Sequence, residues 1–173
     1  MFSRYAAALS LLALAAVACS DSNSPIVDAR VSAEDQCDPA SFNAALGSGA
    51  CVKQGNVTLT AFNNELNATH QVASWRFVPN SFTIHVGQAI TVTNNGGEKH
   101  TFTEVANFGG GIVPSLNSAS NNPTEAPECA ALAGNAMIAS GATFRTDAAT
   151  DAGVENYQCC VHPWMRATVT VTQ

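Results

Sequence analysis

Hydrophobic and polar positions alternate with period two over much of the chain. At the C-terminus Ala167, Val169 and Val171 alternate with Thr168, Thr170 and Thr172, which predicts a terminal strand. Residues 75–80, 82–88 and 90–97 form shorter alternating runs, each ending in Gly, Asn or Pro. Residues 140–145 and 154–159 resume the pattern, and Val57, Leu59 and Ala61 set against Thr58 and Thr60 predict a further strand over 56–62. Short strands bounded by turn residues predict an all-β fold built as a β-sandwich. Between 106 and 139 the alternation fails. Gly109-Gly110-Gly111 and Asn121-Asn122-Pro123 mark a long irregular insertion, with a short helix expected over 128–136.

The N-terminus follows a different pattern. One cation, Arg4, precedes an apolar run from Tyr5 to Ala18 that is too short to span a bilayer comfortably and gives way to polar residues. Residues 1–18 therefore read as a signal peptide. Small residues directly before Cys19 resemble the lipoprotein box of bacteria, which implies a lipid on Cys19 and a membrane anchor, with Ser20 favouring the outer membrane. The alternative is ordinary cleavage that leaves Cys19 free or paired. Residues 19–50 read as a flexible tether and N-terminal extension, with a helical turn or two between Cys37 and Cys51, and residues 51–173 as the folded domain.

Composition narrows the function. The 173 residues are 46% hydrophobic and only 12% charged, with a net charge of −6. An acidic chain without a basic stripe has no electrostatic footprint for nucleic acid. Six cysteines in so small a chain call for an oxidising compartment or a metal.

The chemistry concentrates just before the last strand, where Cys159, His162 and Met165 fall within seven residues. A loop bearing a thiolate, an imidazole and a thioether can grip one soft metal ion. Two histidines, a cysteine and a weak axial methionine are the donors of blue-copper electron-transfer sites. The second histidine must come from elsewhere. His85 lies mid-strand and His70 in a polar connection, whereas His100 follows the Gly96-Gly97 turn at an end of the sandwich.

The C-terminal phrase Cys-x-x-His-Pro-x-Met-Arg before a Val-x-Val strand resembles the cupredoxin family, in particular its amicyanin and plastocyanin-like members. Residues 77–95, with Phe77, Pro79, Val86-Gly87 and a strand ending in Asn94-Asn95, are similar to the N-terminal half of that family, where they lead into the first copper histidine. The resemblance spans about Val57 to Gln173. It implies a Greek-key sandwich and one type 1 copper held by His100, Cys159, His162 and Met165. It also implies single-electron transfer between extracytoplasmic protein partners, with no enzymatic step and no small-molecule substrate. Copper storage or delivery, and a metal-free sandwich stapled by disulfides, are the alternatives. The exposed edge of His162, ringed by Trp164, Phe102, Phe108 or Ile112, would be the electron port, unless Trp164 packs under the loop. The Cys-x-x-His spacing selects Cys159 over Cys160 as ligand. Proximity suggests Cys37–Cys51, worth about 3 kcal/mol in the chain-entropy description. Cys129 is then the remaining partner for Cys160, against a vicinal Cys159–Cys160 bond or a free Cys160.

Overall fold

A computed structural model of the chain describes residues 26–133 and 136–173. The leader and Cys19 with its expected lipid lie outside the described residues. Eight strands form two four-stranded mixed sheets, ordered β2-β1-β4-β6 and β3-β8-β7-β5. The first sheet holds β1 (Ala29–Glu34), β2 (Arg76–Val78), β4 (Ile90–Asn94) and β6 (Thr143–Arg145). The second holds β3 (Ser81–His85), β5 (Thr103–Val105), β7 (Gly153–Gln158) and β8 (Arg166–Thr172). The chain passes from one sheet to the other at five of the seven connections, all but β1–β2 and β7–β8, in keeping with the all-β sandwich expected from the alternation.

Period-two patterning decides which faces meet. Ala167, Val169 and Val171 of β8 are buried, as are Ile90 and Val92 of β4 and Val31 and Ala33 of β1. These side chains join Phe77, Ile84 and Tyr157 in one core between the sheets. Burying each large apolar side chain contributes about 1.5–3 kcal/mol, the main offset to the entropy of ordering the strands.

Two sequence expectations need correction. The stretch read as tether contains β1, which pairs in parallel with β4, from Ala29 opposite Ile90 to Ala33 opposite Asn94, and antiparallel with β2. Its polar look arises because Arg30, Ser32 and Glu34 alternate with the small Ala29, Val31 and Ala33, of which Val31 and Ala33 are fully in the core and Ala29 packs at its edge. The strand expected over 56–62 is instead the start of helix α2 (Leu59–Thr69). Thr58 caps it by accepting a hydrogen bond from Ala61 N at 3.2 Å. Leu59, Phe62 and Leu66 have helical spacing, and Phe62 and Leu66 bury against the sandwich. Local alternation of small residues hid that longer period.

The helical turns between the first two cysteines form α1 (Pro39–Leu46), capped by Asp38. Phe42 of α1 meets Phe62 and Trp75 at ring-centroid distances of 5.7 and 5.9 Å, and Phe62 meets Trp75 at 4.8 Å. The insertion carries α3 (Pro114–Ala119), which the sequence pattern did not reveal, and α4 (Pro127–Ala130), the short helix expected there. Cys37–Cys51 and Cys129–Cys160 are disulfide-bonded. Among the described residues, no helix is long and apolar enough to cross a membrane.

Phe62 is the hub of the aromatic cluster that seats α2, so Phe62→Ala should cost about 3–5 kcal/mol of unfolding free energy. Urea denaturation followed by tryptophan fluorescence measures it. An effect under about 1 kcal/mol would mean that α2 is not part of the core.

Candidate metal centre

Three of the four ligand residues singled out in the sequence meet at one end of the sandwich. Donor atoms of His100, Cys159 and His162 all lie within 4.8 Å of one another, and all three residues are buried. Cys159 Sγ stands 3.8 Å from His100 Nδ1 and 3.9 Å from His162 Nδ1. Cys159 belongs to neither disulfide. His85 and His70 stay apart from the site. His85 Nδ1 lies 2.9 Å from Thr172 Oγ1, and His70 caps the C-terminus of α2.

The final loop is closed by its own backbone. Cys159 N donates to Met165 O at 3.0 Å, and Met165 N donates to His162 O at 2.9 Å. Arg166 Nε donates to Pro163 O at 2.9 Å, which ties the loop to the start of β8. Met165 is fully buried within this loop. Strand alternation sends Cys159 inward and Cys160 the other way, where its disulfide to Cys129 pins α4 beside the loop. Gly111 passes directly over Cys160, and a β-carbon there would collide with the Cys160 carbonyl. That close approach lets Ile112 N donate to Cys160 O at 2.7 Å.

Residues remote in sequence complete the surroundings. Asp35, which follows β1, is buried. Its Oδ1 accepts from Cys37 N at 3.1 Å and Gly97 N at 2.9 Å. Its Oδ2 accepts from Glu98 N at 3.0 Å and lies 2.9 Å from His100 Nε2. His100 thus turns Nδ1 toward the sulfur while its outer nitrogen is held by a carboxylate, the arrangement that orients and strengthens an imidazole ligand. Thr101 N donates to Cys159 Sγ at 3.4 Å, and Thr101 Oγ1 accepts from Cys160 N at 2.8 Å. Asp35, Glu98 and Thr101 escaped the sequence reading. No local pattern links residue 35 to residue 100.

The electrostatics favour a thiolate. Burial alone would push the Cys159 thiol up, but hydrogen bonds and positive charge from His100 and His162 outweigh it and hold the group well below the ordinary thiol range. Burial would lower His162, yet its contacts with Cys159 and Glu98 raise it to about 10. His100 moves up as well: burial opposes the shift, and Asp35 and Cys159 drive it. A buried thiolate between two imidazoles, not consumed by a disulfide, has the donor chemistry of a soft-metal site. His100, Cys159 and His162 could hold one metal ion.

Of the two readings of this rim, the structure follows the second: it forms no exposed His162 edge, and Trp164 packs against the core instead. His162 is 2% exposed, enclosed by Trp164 at 5.4 Å, Trp75 at 6.4 Å and Phe62 at 6.5 Å between ring centroids. Phe102 is also buried, stacked on Tyr157 at 4.4 Å. Helix α2, unforeseen in the sequence, supplies Phe62, one of the three rings that enclose His162.

No protein-family model and no curated protein sequence matches this chain. Solved structures similar to this chain include a purple cupredoxin from Nitrosopumilus maritimus, 16% identical with a TM-score of 0.47 over 84% of this chain and 100% of that one. Plastocyanin from Dryopteris crassirhizoma is 18% identical, with a TM-score of 0.42 over 83% and 100%. An amicyanin mutant in its Cu(I) form is 20% identical, with a TM-score of 0.40 over 59% and 78%.

Asp35 makes stability depend on pH. Burial would raise its carboxyl, but the contacts with His100, Gly97 N and Glu98 N prevail and bring it to about 2, from an ordinary 3.8. A depressed value means that the ionised form stabilises the fold. The contribution is complete above the unfolded value and is lost as pH falls through 3.8 toward 2. Its size is roughly 2 kcal/mol. Urea titrations of the metal-free protein across this range should show that loss, and Asp35→Asn should be less stable at neutral pH with a flatter acid slope. An unchanged slope in the variant would assign the acid sensitivity to other groups.

Proposed function

We propose that this chain is a type 1 copper protein that carries single electrons between protein partners outside the cytoplasm. The observation that carries the reading is the buried, unpaired Cys159 sulfur between the Nδ1 atoms of His100 and His162. In this reading His100, Cys159 and His162 would hold the ion, and Met165 would add a weak thioether donor. When bound, copper takes up and releases one electron, with thiolate and thioether favouring Cu(I) and imidazole accepting both states.

The protein's own part is to keep the donors still. The hydrogen bonds closing the 159–165 loop, the Asp35 contact to His100 and the aromatic cage around His162 resist movement as the charge changes. Thr101 N–H supports negative charge on the sulfur, and burial excludes water from the donors. A single enclosed site suits an electron carrier better than a delivery protein, which must release its ion to a partner. The reading assigns no catalytic residue. Two disulfides fit an oxidising compartment, and a lipid on Cys19 would tether the domain to a membrane there.

The test is the visible absorption of the full chain, purified in mild detergent, after Cu(II) addition and removal of excess metal. A strong thiolate-to-copper band is expected, lost in Cys159→Ser. The double variant Cys129→Ala/Cys160→Ala should keep the band while losing about 3–4 kcal/mol of stability. A protein that retains no copper, or colour that survives Cys159→Ser, would overturn the reading.

A further inference from the structure

Glu98 occupies an unusual place for an acidic side chain. It lies between β4 and His100, and its side chain is 12% exposed. Its Oε2 accepts from Trp75 Nε1 at 2.6 Å and lies 3.4 Å from His162 Nε2. The Glu98 backbone is fixed at both ends. Its N–H donates to Asp35 Oδ2 at 3.0 Å, and its carbonyl accepts from Asn94 Nδ2 at 2.7 Å. Trp75 is itself 1% exposed, stacked on Phe42 and packed edge-on against Phe62. The carboxylate therefore stands at a set point, and the group it faces there is the outer nitrogen of His162.

A buried imidazole has two polar nitrogens to satisfy and one soft torsion about which the ring turns. In His162, Nδ1 faces Cys159, and the ring is too enclosed for Nε2 to be satisfied by bulk water. Without a partner at Nε2 the ring would lose an orienting contact and leave a buried polar atom unpaired, which disfavours that arrangement. A carboxylate at that nitrogen fixes the ring and makes the opposite nitrogen a stronger donor. It also places negative charge beside the site, which favours the more highly charged state of a bound ion.

We propose that Glu98 is a positioning residue of the metal centre: held by Trp75, it keeps His162 with Nδ1 toward Cys159 and biases the site toward the oxidised ion. This rests on the copper reading above. The aromatic cage and the carboxylate then act together. Phe62, Trp75 and Trp164 keep water from competing for the outer nitrogen, and Glu98 takes water's place.

The experiment compares the full-length wild-type protein with Glu98→Gln, Glu98→Asp and Trp75→Phe. Cu(II) affinity is read by chelator competition, reduction potential by potentiometry, and the site by its visible band. Glu98→Gln keeps the side chain's size and an oxygen for Trp75 but removes the charge. It should weaken Cu(II) binding about tenfold and raise the reduction potential. Glu98→Asp keeps the charge but withdraws it from both partners, so it should also lose affinity and should shift the visible band. Trp75→Phe, which removes only the indole donor, should shift the potential upward by less than Glu98→Gln. It also reads the contact independently if the glutamine variant does not fold. Wild-type affinity and potential in both Glu98→Gln and Trp75→Phe would overturn the role of Glu98. So would a Glu98→Asp protein identical to wild type, because charge without position would then suffice. A wild-type protein that binds no copper would overturn the copper reading itself, an outcome distinct from these.

Discussion

The buried carboxylate of Asp35 is the constraint on which the site depends. Four donors converge on its two oxygens: the backbone N–H groups of Cys37, Gly97 and Glu98, and the imidazole of His100. A carboxylate taken out of water is stable only when its lone pairs are met in this way. Through it, the end of β1, the first disulfide, the turn after β4 and a candidate metal ligand become one unit. The approach is close enough that a β-carbon at residue 96 would overlap the carboxylate, and one at residue 97 would press on Cys37 Sγ, so both positions require glycine.

Helix α2 acts on the other histidine. Its Phe62 joins Phe42, Trp75 and Trp164 in an aromatic wall that covers His162. A blue-copper reading built on a solvent-facing histidine would place electron exchange at that edge, but here the ring is inside. Trp164, whose ring centroid is 5.4 Å from that of His162, is partly exposed. Enclosure strengthens each polar contact at the site by lowering the local dielectric, and it makes the hydrogen-bond partner of each imidazole matter more.

The two histidines are similarly placed: each points Nδ1 at one sulfur and faces a carboxylate with Nε2, Asp35 hydrogen-bonded to His100 at 2.9 Å and Glu98 at the longer ion-pair distance of 3.4 Å from His162. The two carboxylates are themselves linked, because Glu98 N donates to Asp35. The second disulfide holds the insertion against the outer side of the same loop. Movement of any donor would have to break a contact in the core, a disulfide-anchored loop or a buried ion pair.

The sequence alone determined the parts of this protein that are local. Cys159, His162 and Met165 could be read as one donor loop because they are neighbours in the chain and a strand follows them. The strands carrying alternating Val, Ile and Thr were readable because a half-buried strand shows period two in its own residues. Proximity suggested the first disulfide, but the second stayed open against a vicinal bond or a free Cys160 until the structure paired Cys160 with Cys129. Tertiary structure decided the rest. Residues 59–69 match both a strand over their first few positions and a helix over the whole, and only burial of Phe62 and Leu66 chooses the helix. β1 looked like linker because the side chains it turns to the core are small, Ala29, Val31 and Ala33, and the parallel pairing with β4 that brings Asp35 to His100 leaves no trace in either segment. Long-range pairing places donors that are distant in sequence, and a one-dimensional pattern records only the faces they present, not the partners they meet.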